Sequence, residues 1–236
     1  MLWLTFTRPS ARNALTIAMR RGLIEAVRAA DADAGTRLVV LTGADPAFSA
    51  GIDLKEALGN GTGLPRGART DPAEVVRACR TPVFGVVNGL CYTGALELAL
   101  SCSFLIASER ASFADTHAAI GLTAGWGMSA LLPRAVGVRL ARRMMLTGEP
   151  IDAERALAAG LVTEVVRHDC LLDRAREIAE LIRAAHPGAV AETLGLLAAG
   201  ADTSLAHALS LEAEAKLRRR HDVADVVRRF GARTDR

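Results

Sequence analysis

The stretch Val87-Asn88-Gly89-Leu90-Cys91-Tyr92-Thr93-Gly94-Ala95-Leu96-Glu97-Leu98-Ala99 decides the fold of this chain. The apolar run 83–87 predicts a buried strand, Asn88-Gly89 predicts a turn, and the run 94–100 predicts a helix. Gly94 lets a ligand approach the backbone closely. Glu97 lies one turn into an otherwise apolar helix, where a carboxylate is costly to bury without a partner. Two interpretations stay open locally: Glu97 faces solvent or caps its own helix, or it serves a buried site.

A second stretch, Phe48-Ser49-Ala50-Gly51-Ile52-Asp53-Leu54, has small residues and a glycine ahead of a helix predicted to begin near Asp53. Free backbone N–H groups gather at the start of a helix, and they can bind negative charge. The same pattern also fits an ordinary loop in which Asp53 caps the helix. By itself, this stretch is therefore a weak indication of an anion-binding site formed by backbone N–H groups.

The flanking residues complete an alternation of strands and helices. Residues 2–6 and 38–41 are predicted strands, with a helix between them that begins after Thr16 and runs to about residue 30. Residues 44–51 and 59–70 are predicted loops, and we expect the second to be mobile. Strands and helices in the first part, followed by a mostly helical second part, predict an α/β fold with a C-terminal helical appendage.

The amino-acid composition excludes several classes of function for this chain. The 236 residues are 50% hydrophobic with a net charge of +3, which is typical of a globular protein. The four cysteines have no metal-ligand spacing, so we expect reduced thiols, no metal site and a cytoplasmic location. The N-terminal residues lack the features of a signal peptide. We expect no nucleic-acid partner because no binding motif occurs, and no membrane partner because no apolar run is long enough to cross a bilayer.

Both quoted stretches resemble the two signature segments of the crotonase superfamily, the enoyl-CoA hydratase/isomerase family. Further similar segments follow in register between residues 2 and 166: Arg8–Leu15, Phe113–His117, Leu146–Ile151 and Ala159–Val162. The resemblance implies a crotonase-like (ββα)n spiral core that binds acyl-CoA over residues 1–186. It implies a C-terminal helical trimerisation region over residues 187–236. The family's first hairpin strand usually precedes residue 2, so this chain either lacks an edge strand or begins downstream of its full start.

The resemblance also implies residue roles. The backbone N–H groups of Ile52 and Gly94 would form an oxyanion hole for the thioester oxygen, and Glu97 would be the catalytic acid/base. His117 stands where hydratases of the family commonly have a second glutamate. A Glu/His pair can still perform general acid–base catalysis because histidine titrates near neutral pH. His117 could instead be a polar residue bonded to Asp115 or to a helix end.

These roles predict an enoyl-CoA hydratase that adds water to 2-enoyl-CoA thioesters. The alternatives are an isomerase, hydrolase or decarboxylase on the same scaffold, or a catalytically weak acyl-CoA-binding protein. No cofactor is expected apart from coenzyme A as part of the substrate, and the assembly implied is a homotrimer or a hexamer. The remaining predicted site residues are six for substrate binding and two for the CoA moiety: Ala50, Gly51, Asp53, Leu54, Tyr92 and Trp126, then Arg12 and Lys55.

Overall fold

The computed structural model describes residues 1–59, 71–218, 226–228 and 230. The predicted loop at 59–70 therefore lies outside the described residues except for Gly59. The chain divides into two compact units, Met1–Pro187 and Gly188–Arg236. The described residues of the first unit form nine strands in two sheets: β1 (Leu2–Phe6), β2 (Val39–Gly43), β3 (Ala47–Ser49), β4 (Val83–Val87), β5 (Leu90–Tyr92), β6 (Phe104–Ser108), β7 (Ser112–Ala114), β8 (Ile151–Asp152) and β9 (Glu164–Val166).

From β2 to β7, successive strands alternate between the two sheets. The larger sheet has the order β1-β2-β4-β6-β9 and is parallel throughout, and the smaller has the order β3-β5-β7-β8 with only β8 antiparallel. The helices α2 (Leu54–Gly59) and α4 (Gly94–Leu100) follow the pairs β2/β3 and β4/β5. This repeat of strand, strand and helix confirms the (ββα)n architecture that the resemblance implied.

The central strands β2 and β4 of the larger sheet are buried on both faces, as expected for parallel strands covered by helices. Along β2, Val39 and Leu41 belong to one apolar cluster and Val40 to another, since successive side chains of a strand point to opposite faces. Val40 shares its cluster with α8 (Leu171–Ala184), whereas the other cluster includes residues of α1 (Ile17–Ala32) and α4. The core therefore holds the smaller sheet and α4 rigidly in place.

The remaining helices mostly follow their predicted positions. The Thr16 side chain caps α1 by accepting a hydrogen bond from the N–H of Met19, and Asp71 caps the helix that begins at Pro72 in the same way. No helix among the described residues is long and apolar enough to span a bilayer. The other helices are α3 (Pro72–Ala78), α5 (Met128–Val136), α6 (Val138–Thr147), α7 (Ala153–Ala158), α9 (Pro187–Gly200) and α10 (Leu205–Arg218).

The structure differs from the prediction in the smaller sheet. Residues 44–51 were predicted to be a loop, but they contain β3, and β5 was not predicted at all. Each has only three residues, too few to display the two-residue alternation by which strands are recognised. These two short strands lead directly into the site.

Candidate active site

Three neighbouring strand ends build the site. β3 pairs with β5 and β5 pairs with β7, all parallel, with Ser49 opposite Cys91 and Tyr92 opposite Ala114. Because the carboxyl ends of parallel strands meet at one edge of a sheet, the segments after these strands lie side by side. Those segments carry, in order, residues 50–53, residues 93–97 and residues 115–117.

Gly51 brings the first two segments into direct contact. Its φ of +90° lies in the region that favours glycine. A Cβ atom at this position would lie 2.9 Å from the carbonyl oxygen of Tyr92 and 3.1 Å from the backbone nitrogen of Gly94. The absence of a side chain is therefore what lets the two backbones approach each other.

Thr93 has an unusual backbone conformation just before Gly94. Its φ of 56° is uncommon for a residue other than glycine, and it is held by a 2.5 Å hydrogen bond between the hydroxyls of Thr93 and Thr116. The Thr93 N–H donates to the carbonyl of Ala114. Within the described residues, the N–H groups of Ile52 and Gly94 donate to no protein acceptor. Two backbone donors are thus available where the first two segments meet.

The N-terminal segment holds the first loop in position. The Asn13 side-chain amide donates to the carbonyls of Ala44 and Ala47, at 2.7 Å and 2.6 Å. Leu15 pairs with Ile52 in a parallel bridge. The loop that carries Ile52 is therefore fixed from both sides, although the segment 8–15 itself lies outside the cavity.

A cavity of about 220 Å³ opens between the three segments and the turn before α5. Seven of the residues predicted from the sequence line it: Ala50, Ile52, Leu54, Gly94, Glu97, His117 and Trp126. The structure thus brings together backbone donors, a carboxylate, an imidazole and an indole that are up to 74 positions apart in the chain.

Glu97 is buried, with 1% of its surface exposed, and it faces this cavity. Its Oε1 accepts hydrogen bonds from the N–H groups of Trp126 at 2.6 Å and Met128 at 3.1 Å. Burial raises the pKa of the Glu97 carboxyl, and the two backbone hydrogen bonds oppose that rise. Neither the solvent-facing nor the helix-capping interpretation of Glu97 holds.

His117 presents one ring nitrogen to Glu97 and the other to Asp115. The distance from His117 Nδ1 to Asp115 Oδ1 is 2.6 Å, and that from His117 Nε2 to Glu97 Oε2 is 3.7 Å. A buried carboxylate can only accept, so Nδ1–H donates to Asp115 and Nε2 is directed at Glu97. The contact with Asp115 considered from the sequence is present, and it orients His117 towards the cavity.

Trp126 is anchored by Arg77. The Arg77 guanidinium donates to the carbonyl of Trp126 at 2.7 Å and to the Ser101 hydroxyl at 2.9 Å. A Cβ atom on Gly94 would lie 3.2 Å from the Trp126 ring. Since the N–H of Trp126 also holds Glu97, Arg77 fixes the turn that orients the carboxylate.

Five predicted site residues do not line the cavity, and one of them is Gly51, whose role is the close backbone contact described above. The Asp53 carboxylate pairs with Arg8 at 2.8 Å, and this hydrogen bond is the main cause of the lowered pKa of Asp53. The hydroxyl of Tyr92 is hydrogen-bonded to Ser112. Arg12 and Lys55 are exposed. Asp53 and Tyr92 are therefore engaged elsewhere, and the two basic residues lie at the surface, where they remain predicted contacts of the CoA moiety.

The sequence reasoning missed Arg20, which lines the cavity from α1. A signal was present: Arg20 lies three residues after Ile17 and three before Leu23, on the apolar side of a predicted amphipathic helix. It also missed the positioning role of Asp115, for which the spacing Asp-Thr-His offers no specific pattern.

The alternating two-sheet fold, with its cavity at the strand ends, is that of the crotonase superfamily. A family model described as enoyl-CoA hydratase/isomerase matches residues 1–226, and the chain belongs to this family. It is 38% identical over 211 residues to a probable peroxisomal enoyl-CoA hydratase 1 of Arabidopsis thaliana, covering 89% of this chain and 80% of that protein.

Two further relatives agree. A probable enoyl-CoA hydratase of Rhizobium meliloti is 40% identical over 182 residues, covering 76% of this chain and 70% of that protein. The crystal structure of an enoyl-CoA hydratase from Mycobacterium tuberculosis H37Rv matches with a TM-score of 0.77 and 48% identity. That match covers 90% of this chain and 89% of the other.

Proposed function

We propose that this chain catalyses the addition of water to the double bond of 2-enoyl-CoA thioesters. Membership of the enoyl-CoA hydratase/isomerase family and the hydratase names of its relatives support this reaction. The observation that carries the proposal is one cavity that holds a buried Glu97–His117 pair and two backbone N–H groups with no acceptor among the described residues.

The two backbone donors would stabilise the charge that develops during addition. When water attacks the β-carbon, an electron pair moves through the conjugated system to the thioester oxygen. The N–H groups of Ile52 and Gly94 are fixed before reaction, so they would bind this oxyanion without reorganisation. Each such donor contributes about 3–4 kcal/mol to transition-state stabilisation.

The side chains supply a complete route for the proton. Oε1 of Glu97 is occupied by two backbone N–H groups, which leaves Oε2 as the basic atom. A water beside Oε2 and His117 Nε2 would donate a hydrogen bond to each. As its oxygen bonds to the β-carbon, Glu97 takes one proton and then delivers it to the α-carbon of the enolate. The hydroxyl remains on the β-carbon, so the atoms balance and the reaction requires no cofactor beyond the CoA of the substrate.

The first test is Glu97→Gln, assayed by the loss of enone absorbance of crotonyl-CoA and by chromatographic detection of 3-hydroxybutyryl-CoA. We expect kcat to fall by about 10²–10⁴-fold, the usual contribution of a positioned acid/base. Glu154→Gln is a matched control because Glu154 is an exposed carboxylate on α7. Wild-type turnover by Glu97→Gln would refute the proton route.

The second test is His117→Ala. We expect hydration to slow severely while the dissociation constant for acyl-CoA stays nearly intact, because the imidazole would orient the attacking water and would not bind the CoA moiety. Rate and affinity should be measured on the same preparation, by absorbance and by calorimetry. Unchanged values for both would show that the Glu/His assignment is wrong.

The second unit supports a proposal about assembly. Its described helices expose several large apolar side chains, among them Leu197, Leu205 and Leu209 with 65%, 76% and 57% of their surface accessible. Burying such residues against a second copy is favourable, at about 25 cal/mol per Å² of apolar surface. We infer a homotrimer or a hexamer, and light scattering on the purified protein tests it. A monomer at micromolar concentration would contradict the inference.

A cytoplasmic location is proposed from the cysteines. All four are unpaired, which is the usual state in a reducing compartment. Burial raises the pKa of Cys102 to about 12, so this thiol is a packing group with little thiolate character. Fractionation of cells that express a tagged chain would test the location, and recovery in an organelle fraction would contradict it.

A further inference from the structure

Arg20 is a charged residue in an apolar position. Only 2% of its surface is exposed, and it lies on the side of α1 that also buries Leu23, Ile24 and Val27. Arginine is almost never fully buried unless its guanidinium is paired, because removing the charge from water is costly. Its burial therefore requires an explanation.

The described part of the chain supplies no hydrogen-bond acceptor and no carboxylate in contact with this guanidinium. Within the described ranges, Arg20 forms no hydrogen bond and no ion pair, and its buried Nε has no acceptor. The Arg20 guanidinium lies 5.9 Å from the centre of the Trp126 ring. Glu56 is the nearest compensating charge, but its Oε2 accepts a hydrogen bond from the N–H of Ile17 at 2.7 Å. Burial lowers the pKa of Arg20 more than Glu56 raises it.

The unpartnered group faces the substrate cavity. Among the described residues that line the cavity, Glu97 is the one carboxyl group and Arg20 is the one arginine or lysine. The cavity volume of about 220 Å³ equals roughly seven water volumes at about 30 Å³ each, which suits a short acyl group and not a nucleotide. The CoA phosphates must therefore stay outside, beyond the reach of a buried guanidinium.

We propose that Arg20 binds a carboxylate carried by the acyl group, so that the preferred substrates are CoA monothioesters of short unsaturated dicarboxylic acids. This inference rests on the proposed function, since it names the substrate class of the same cavity. A guanidinium matches a carboxylate in planar, two-point geometry, and the pair is strong where water is excluded. The acyl carboxylate would supply the acceptors that the guanidinium does not find among the described residues.

The test measures binding without turnover. Calorimetry compares butyryl-CoA with succinyl-, glutaryl- and adipyl-CoA, saturated thioesters that cannot be hydrated, on wild type, Arg20→Met, Arg20→Lys and Arg21→Met. Arg21 is the exposed neighbour on the same helix and serves as a matched control. We expect wild type to bind at least one diacid thioester ten or more times more tightly than butyryl-CoA. Arg20→Met should reduce this ratio to about one, Arg20→Lys should keep part of it, and Arg21→Met should keep all of it.

Two outcomes would overturn the inference: no diacid preference in wild type, or the same preference in Arg20→Met. The comparison of thioesters on the wild type can refute the diacid preference even if a variant fails to fold. Because binding is measured on inert thioesters, the result is independent of the reaction. Hydration of crotonyl-CoA without any diacid preference would remove the inference and leave the proposed function standing. Diacid preference without hydration of any enoyl-CoA would support the inference and remove the proposed function.

Discussion

Replacing Gly51 by alanine tests the close approach that creates the two backbone donors. The new Cβ would lie 2.9 Å from the Tyr92 carbonyl oxygen and 3.1 Å from the Gly94 nitrogen. Ordinary contacts begin at 3.4 Å, so the backbones must separate by about 0.3–0.5 Å. The Gly94 N–H would then move away from the oxyanion position that we propose it shares with the N–H of Ile52.

The expected magnitudes follow from these contacts. A side chain at a φ of +90° costs about 1–3 kcal/mol, and overpacking adds about 1–3 kcal/mol. For a chain of this size each kcal/mol lowers Tm by about 2–4 °C, so the total decrease should be roughly 5–20 °C. Displacing one oxyanion donor should lower kcat by about 10²–10³-fold. Both quantities can be measured by calorimetry and by the crotonyl-CoA assay.

Gly160→Ala separates strain from steric clash. Gly160 also has a positive φ, of +82°, but a Cβ there meets only an ordinary contact at 3.5 Å, and the residue is exposed and outside the cavity. This control should lose about 1–3 kcal/mol of stability and keep its kcat. If Gly51→Ala matched the control in both Tm and kcat, the proposed convergence of the two donors would be wrong.

Three further changes probe the groups around the carboxylate. Asp115→Asn should lower kcat by about 10²-fold or more with little change in KM. The Asn amide can donate a hydrogen bond to His117 Nδ1, which would place the imidazole proton on Nε2, the wrong nitrogen. Initial-rate kinetics test this, and an unchanged kcat would contradict it. The pKa of the Glu97 carboxyl is higher in the folded protein than in the unfolded chain, so the free energy of unfolding of the wild type falls as pH rises from the unfolded-state pKa through the folded-state pKa. Glu97→Gln has no such group and should be more stable than wild type above the folded-state pKa. Denaturant titrations across this pH range should show a difference in stability that grows with pH. Arg77→Met should alter Trp126 fluorescence and lower kcat by about tenfold, since the turn holding Glu97 loses its anchor; an unchanged spectrum and rate would show that the anchor is dispensable.

Regular local patterns made much of the fold predictable. β4 and α4 were predicted with the boundaries that the structure has, since a continuous apolar run and a small-residue helix start are strong local signals. The cap at Thr16 was equally clear. The three-residue strands β3 and β5 could not be predicted, because they are stabilised by their neighbours in the sheet and not by their own composition.

The site also divides into features that the local sequence predicts and features that depend on tertiary packing. The sequence by itself determined which chemical groups are present: a glycine ahead of each of two helices, a glutamate in an apolar helix, and a histidine in a later segment. Only the tertiary structure decided that Arg20 joins them and that Asp53 does not. Local sequence fixes the conformation available to each segment, whereas the direction and partner of a side chain depend on which strands become neighbours, and that is set by packing across the whole core.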